Sequence, residues 1–207
     1  MRQSGNARIH VLEPHVIRGI LSRLRLTHLL RRFPERPLWA LFMFVNGFFV
    51  IALLAGVAMI SRTPFVFPSL GPVAILLFMT PLSPTASPRN TLYGHAIAIA
   101  CGYGSLWMTG LQHAPPALVI GVEYRRIVAV ALSLAFTSAL LVLLRSAHPP
   151  AGATTLIISL GIVTRPFYLF VIECAVAILV LQGFIINRLA GINYPYWAKR
   201  IDSEARE

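Results

Sequence analysis

The stretch RSAHPPAGATTLIISLG, residues 145–161, decides the fold. Pro149, Pro150 and Gly152 interrupt an otherwise apolar run, and Arg145 and His148 stand at its start, a costly place for polar groups beside hydrocarbon. Backbone that leaves the helix at membrane depth persists only where protein or a polar cavity satisfies its N–H and C=O groups. The stretch therefore predicts a short, broken helix opening onto such a cavity.

The rest of the chain agrees with a membrane setting. Of its 207 residues 57% are hydrophobic, against about 45–50% in soluble domains, and the mean hydropathy is +0.72. This size and composition fit one compact transmembrane domain, with 15 Pro and 14 Gly as expected of interrupted membrane helices. The net charge of +11 does not point to nucleic acid, because eight of the 18 cations fall in residues 1–37 and four after residue 187. Basic segments flanking spans stay cytoplasmic and meet anionic headgroups, so membrane lipids are the expected partners of these tails. Cys101 and Cys174 each lie in an apolar run, which suits packing and not a disulfide framework. The first 37 residues lack the apolar core of a signal peptide, so the first span is expected to insert directly.

Three regions follow: a basic cytoplasmic segment at 1–37, a transmembrane domain at 38–187 and a cytoplasmic tail at 188–207. Within the first, residues 15–33 carry Ile17, Ile20, Leu21 and Leu24 at helical spacing between arginines, which fits an interfacial amphipathic helix. Residues 38–60 are an uncharged run of 23, the clearest span. After Arg62, TPFVFPSLGPVAILLFMTPLSP is too punctuated by Pro64, Pro68, Gly71, Pro72 and Pro81 to be a plain membrane helix. PTASPRN makes a polar loop, residues 91–111 a glycine-rich span, 112–126 a loop, and 127–144 and 167–187 the last full spans, flanking the opening stretch. NYPYW at 193–197, beside Lys199 and Arg200, reads as an aromatic interfacial anchor.

The order is full span, broken segment, full span, twice over. Pro68-Ser-Leu-Gly71 and Pro149-Pro-Ala-Gly152 share one spacing at matching places. The expected fold is all-α, with six hydrophobic segments in a 3+3 internal repeat and the second segment of each half short and Pro/Gly-broken. Six crossings make the halves inverted repeats; re-entrant second and fifth segments make them parallel. Cations divide 14 to 4 across the membrane either way, so the positive-inside rule does not choose. Length favours six crossings: TPFVF at about 3.3 Å per residue plus about 13 helical residues at about 1.5 Å covers a core of about 30 Å. Both arrangements put the two termini in the cytoplasm, with a bacterial inner membrane as the expected setting.

Proline suits the first turn of a helix, where its missing N–H is not needed, so Pro68 and Pro149 read as helix openings. A helix starting near the midplane aims free N–H groups and a positive dipole end into a cavity, which makes an anion site without formal charge. The donors expected are the amides near Leu70 and Gly71 and near Ala151 and Gly152, with hydroxyls from Ser69, Thr154 and Thr155. His148 is available to touch the anion, carry a proton, cap the helix or make a structural contact, and His95, early in its span, is a functional candidate with an interfacial histidine as its alternative. Arg89, next to Asn90, is placed to draw anions to one mouth, with headgroup binding as its alternative. Glu173, the one carboxylate well inside a span, is the proton-coupling candidate. Kinking, close packing and hydroxyls bonded back to helix carbonyls are the structural alternatives for these residues.

SLGPVAILLF at 69–78, PLSPTASPRNTLYGH at 81–95 and AHPPAGATTLI at 147–157 together resemble the HPP family of integral membrane proteins, named for the His-Pro-Pro found here at 148–150. The resemblance covers about residues 38–197 and includes the YPYW ending. Ser87 stands where the middle motif usually has glutamine, and Pro72 where a small residue follows Gly71. If that glutamine touches substrate, selectivity differs here. Plant chloroplast and cyanobacterial members are associated with nitrite transport, so the resemblance implies movement of a small monovalent inorganic anion, nitrite first among candidates.

Two other classes stay open. Ser69 or Thr154 with His95 or His148 supplies a nucleophile and a base for an intramembrane enzyme, but no catalytic spacing supports one, and a non-enzyme is expected. His95, His148 and Cys174 lack metal-ligand spacing, so neither metal nor cofactor is expected. A membrane assembly or sensory module would instead have a solid interior with no polar cavity. Gly102, Gly104 and Ser105 suit close helix packing, within one chain or in a homo-oligomer.

Overall fold

The computed structural model describes residues 26–198, all-helical with no strand among them. α1 (Leu26–Leu29) is a single turn, followed by α2 (Glu35–Ser61), α3 (Leu70–Met79), a 3-10 turn (Pro84–Ala86) and α4 (Pro88–Thr109). α5 (Ala117–Ile120), α6 (Tyr124–Leu143), α7 (Ala151–Ser159) and α8 (Pro166–Leu189) complete the chain. Most of the interfacial helix expected at 15–33 lies outside the described residues, as do Lys199 and Arg200. Residues 112–126, expected as loop, hold α5 and the first turn of α6.

Helices α2, α6 and α8 are long and apolar enough to cross a membrane. α4 has 22 residues, about 33 Å at about 1.5 Å each, but Arg89, Asn90, His95 and its glycines make it less apolar. It packs against α6, α7 and α8 at the centre of the fold, so it needs no lipid-compatible surface all round. The exterior reverses that of a soluble protein: Phe44, Phe48, Phe49, Met59 and Ile60 of α2 are exposed, while serines, threonines, two histidines and an arginine are buried. Hydrocarbon surroundings favour this, since exposed apolar side chains lose nothing there and polar groups must find partners inside.

The short helices return the chain between the ends of the long ones. α3 follows the far end of α2 and runs out at Thr80, which shares a crevice with Trp39 near the start of α2 and Gly191 beyond α8. α7 leaves a loop that is bonded to the start of α4, and it ends at Leu160, whose carbonyl accepts from Ala117 N–H (2.9 Å) past the far end of α4.

Local bonds recur at an offset of 81 residues (67 to 148, 70 to 151): Leu70 N–H donates to Phe67 C=O at 2.9 Å, and Ala151 N–H to His148 C=O at 3.0 Å. Gly110 and Gly191, both at positive φ, end α4 and α8. Leu111 N–H to Leu106 C=O (2.8 Å) then matches Ile192 N–H to Asn187 C=O (2.9 Å), as a left-handed glycine lets the following amide reach an orphan carbonyl. Packing is reciprocal as well, with α4 on α6 and α7 and α8 on α2 and α3.

Glycines make both close approaches. A Cβ at Gly102 would lie 3.0 Å from Ile158 Cβ and from Thr155 C=O, whereas at Gly183 it would meet the tip of Leu77 at 3.1 Å. Backbone and Cβ atoms yield less than a side-chain tip. Gly102→Ala is therefore expected to cost about 1–3 kcal/mol and Gly183→Ala less, read by unfolding in detergent; the reverse order would contradict this packing.

Candidate functional site

Most of the buried polar side chains lie along one seam between α4, α6 and α7. At one end Arg126, only 1% exposed, donates to Ser159 C=O (3.0 Å) and Pro115 C=O (2.8 Å). Ser159 is the last residue of α7, where the helix dipole is negative, and this compensates a cation that has no carboxylate in contact. The Ser133 and Ser159 hydroxyls then meet at 2.9 Å, and Thr137 Oγ1 (2.7 Å) and Thr155 Oγ1 (3.4 Å) both donate to Ser133 C=O.

Further along, Thr154 Oγ1 and His95 Nδ1 are hydrogen-bonded at 2.8 Å. The His95 and His148 rings lie 5.1 Å apart between centroids. His148 Nδ1–H donates to Thr85 C=O at 2.8 Å. Gly94 makes this approach possible, because a Cβ there would stand 2.7 Å from His148 Cβ. Both histidine Nε2 atoms are buried without a partner, as is Thr91 Oγ1, one turn before His95 on the same face of α4. Among the described residues no third His, Cys, Asp or Glu joins the pair to make a metal cluster.

The other end is a clamp. Ser87 caps α4 by accepting from Asn90 N–H (3.4 Å) while donating to Pro84 C=O (2.8 Å). Asn90 Nδ2 donates to Pro84 C=O (3.0 Å) and Ala147 C=O (3.5 Å). Arg89, expected to draw anions, instead uses its guanidinium on Arg145 C=O (3.0 Å) and Leu144 C=O (3.3 Å) and lies 5.3 Å over the Tyr93 ring. The NYPYW segment closes over this end: Tyr194 is buried and donates to Ala86 C=O, and Trp197 C=O accepts from Arg89 N–H at 3.0 Å. Burial pushes the Tyr194 phenol above its ordinary value, which keeps it a neutral donor.

Pro68 and Pro149 stand in the turns that lead directly into Leu70 and Ala151, with Ser69 and Pro150 already in right-handed helical conformation. Several expectations change. The amides of Leu70, Ala151 and Gly152 do not face a cavity, because they close on Phe67, His148 and Pro149 carbonyls at 2.9, 3.0 and 3.0 Å. Nor do α3 and α7 meet tip to tip around a polar space. Pro72, Ile75 and Met79 of α3 flank an apolar crevice of about 520 Å³ whose other side is Pro149, Pro150 and Ala153. Ser69 is buried with its hydroxyl unpartnered, and Gly71 faces open space, so neither joins the seam. Glu173 has a buried, unpartnered Oε2 but no hydrogen bond to the seam. It lies two turns into α8, toward the end of the fold opposite His95.

Thr85, Thr91, Arg126, Ser133, Thr137 and Ser159 were not expected in the site. Arg126, Ser133 and Thr137 are spaced to share one face of a helix, and that was the available signal.

A helical bundle with an apolar exterior and a polar seam inside is an integral membrane protein. The chain belongs to the HPP family, whose model, described as HPP, transmembrane region, matches residues 34–195. One transmembrane protein of Dictyostelium discoideum is 28% identical over 166 residues, covering 77% of this chain and 55% of its own length. A second from the same organism is 31% identical over 149 residues, covering 70% of this chain and 45% of its own. The chain thus spans about half the length of these curated relatives. No solved structure matches it.

Proposed function

We propose that the protein carries a small monovalent anion, nitrite first among candidates, across a bacterial inner membrane along the seam between α4, α6 and α7. The observation that carries this reading is the continuity of buried polar groups from Arg126 to Asn90, with two unpartnered histidine nitrogens between them. Ionisable side chains are expensive inside a membrane bundle, and a protein that only packed would gain more from apolar contacts. The resemblance to a family associated with nitrite transport supplies the choice of ion.

Six crossings as a 3+3 inverted repeat, with both termini cytoplasmic, are part of the proposal. The bonds spaced by 81 residues support it, as does the return of α3 and α7 between opposite ends of their neighbours. The two halves do not share the chemistry. At that offset His95, His148, Thr154 and Thr155 correspond to Val176, Phe67, Val73 and Ala74, so the binding site is assigned to the histidine pair and Thr154, in place of two facing helix ends.

Purified protein in liposomes is expected to move nitrite faster than empty liposomes do, with nitrate, formate and chloride ranking its selectivity. No movement of any of the four above background would overturn the reading.

A further inference from the structure

The tautomer of His148 has a consequence for what this site binds. Thr85 C=O can only accept, so His148 Nδ1 carries the hydrogen and, in the neutral ring, Nε2 presents a lone pair. A lone pair repels an anion. Nε2 becomes a donor only when the ring takes a second proton and a positive charge.

Among the described residues no carboxylate stands ready to balance that charge. Among the described residues the acids are Glu35, Glu123 and Glu173, and Glu35 is exposed at the start of α2, which packs on α3 and α8. Glu123 is exposed at the start of α6, by Arg126, and Glu173 has no bond to the pair. On α4 the neighbouring titratable and charged groups are His95, whose ring lies 5.1 Å from that of His148 and is held by Thr154, and, at the start of the helix, Arg89 over Tyr93; in the loop before His148 it is Arg145, and Tyr194 reaches the same end as a neutral donor to Ala86 C=O. The 3-10 turn, α3 and α7 contribute no charged or titratable side chain, and the cations of α6, Arg125 and Arg126, are at its other end. A buried imidazolium without a counter-ion is costly, and so is a buried anion that meets only neutral donors such as the Thr91 hydroxyl. Each supplies what the other lacks.

We propose that the protein is a proton–anion symporter in which each anion binds beside His148 together with one proton taken up on His148 Nε2. When the anion leaves on the other side the proton leaves Nε2 for water, so the ring returns to its neutral tautomer and no net charge has crossed. This rests on the transport reading above.

The test uses the full chain in liposomes loaded with a pH dye, with the potential set by potassium and valinomycin and with empty liposomes subtracted. Nitrite uptake is expected to acidify the lumen by one proton per anion, to rise as external pH falls, and to ignore the imposed potential. Flux that carries a current equal to the anion flux, without acidification, would overturn the symport and leave transport standing. Absence of nitrite flux would overturn both. His148→Gln places a neutral amide donor near the Nε2 position, so folded variant is expected to pass nitrite more slowly, without protons and with dependence on the potential. One proton per anion in that variant would overturn the assignment to His148, and the wild-type measurement decides the coupling even if the variant fails to fold.

Discussion

Arg126→Met is expected to cost about 3 kcal/mol or more, enough to unfold a large share of the protein under mild heating in detergent. The guanidinium joins α6 to the end of α7 and to the loop before α5, and its two acceptors are backbone carbonyls that no substitution removes. The buried Ser159 carbonyl loses a charge-assisted bond worth about 1.5–3 kcal/mol, and the part-buried Pro115 carbonyl loses one that water replaces in part. Removing the buried charge returns part of that sum, as it does for buried ion pairs replaced by apolar groups, but here only one side of the interaction is replaced. Lysine is expected to recover less than half, since an ammonium cannot reproduce the fork that spans both carbonyls. Denaturant and thermal unfolding of the two variants would check this. A loss below about 1 kcal/mol for Arg126→Met would mean that water satisfies the carbonyls and that this end of the seam is open.

Gly94→Ala is expected to abolish most transport while leaving a folded protein. The added methyl would stand 2.7 Å from His148 Cβ, an atom fixed to the backbone, so the His148 loop or α4 must move. Overpacking of this kind costs about 1–3 kcal/mol, which the bundle can survive. The bond from His148 Nδ1 to Thr85 C=O is already at contact distance and cannot absorb the shift. Misplacing a binding group by about 1 Å can lower a rate on the order of 100-fold, and at least a tenfold loss of nitrite flux is expected. Gly104→Ala is the control: nothing lies within 4 Å of its Cβ position, and its flux should match the wild type. Equal flux in both variants would remove His148 from the pathway.

The broken segments, their boundaries within a few residues and the membrane class were legible because proline, glycine and long apolar runs act locally. The same locality explains the failure over the amides. Pro149 and Pro150 announce a break in the helix, but whether the freed N–H groups face a cavity or fold back on the preceding carbonyls depends on the turn, and the turn folds back. Thr154 was legible as a hydroxyl near the break, but its partner is His95, 59 residues away in sequence, and no spacing announces such a pair. Arg126 looked like a loop cation among others until α6 was seen to begin at Tyr124, which places it in the helix and turns it toward α7. Arg89 was legible as a cation at one end of the chain's polar stretch, but its bonds to the Arg145 and Leu144 carbonyls, 56 and 55 residues away, were not.

A few backbone bonds recur at an offset of 81 residues, yet the side chains around them differ. Cargo arriving at the start of α4 would have to pass the clamp of Asn90 and Tyr194 before meeting His95 about two helical turns on, whereas cargo arriving at the other face must first pass Arg126 and the hydroxyls of Ser159, Ser133 and Thr155. On the proposed transport reading the seam is thereby given polarity, with unequal approaches to one off-centre station. Rates of loading from the two compartments would then differ even at equal concentrations, a built-in sidedness that owes nothing to the connectivity of the helices.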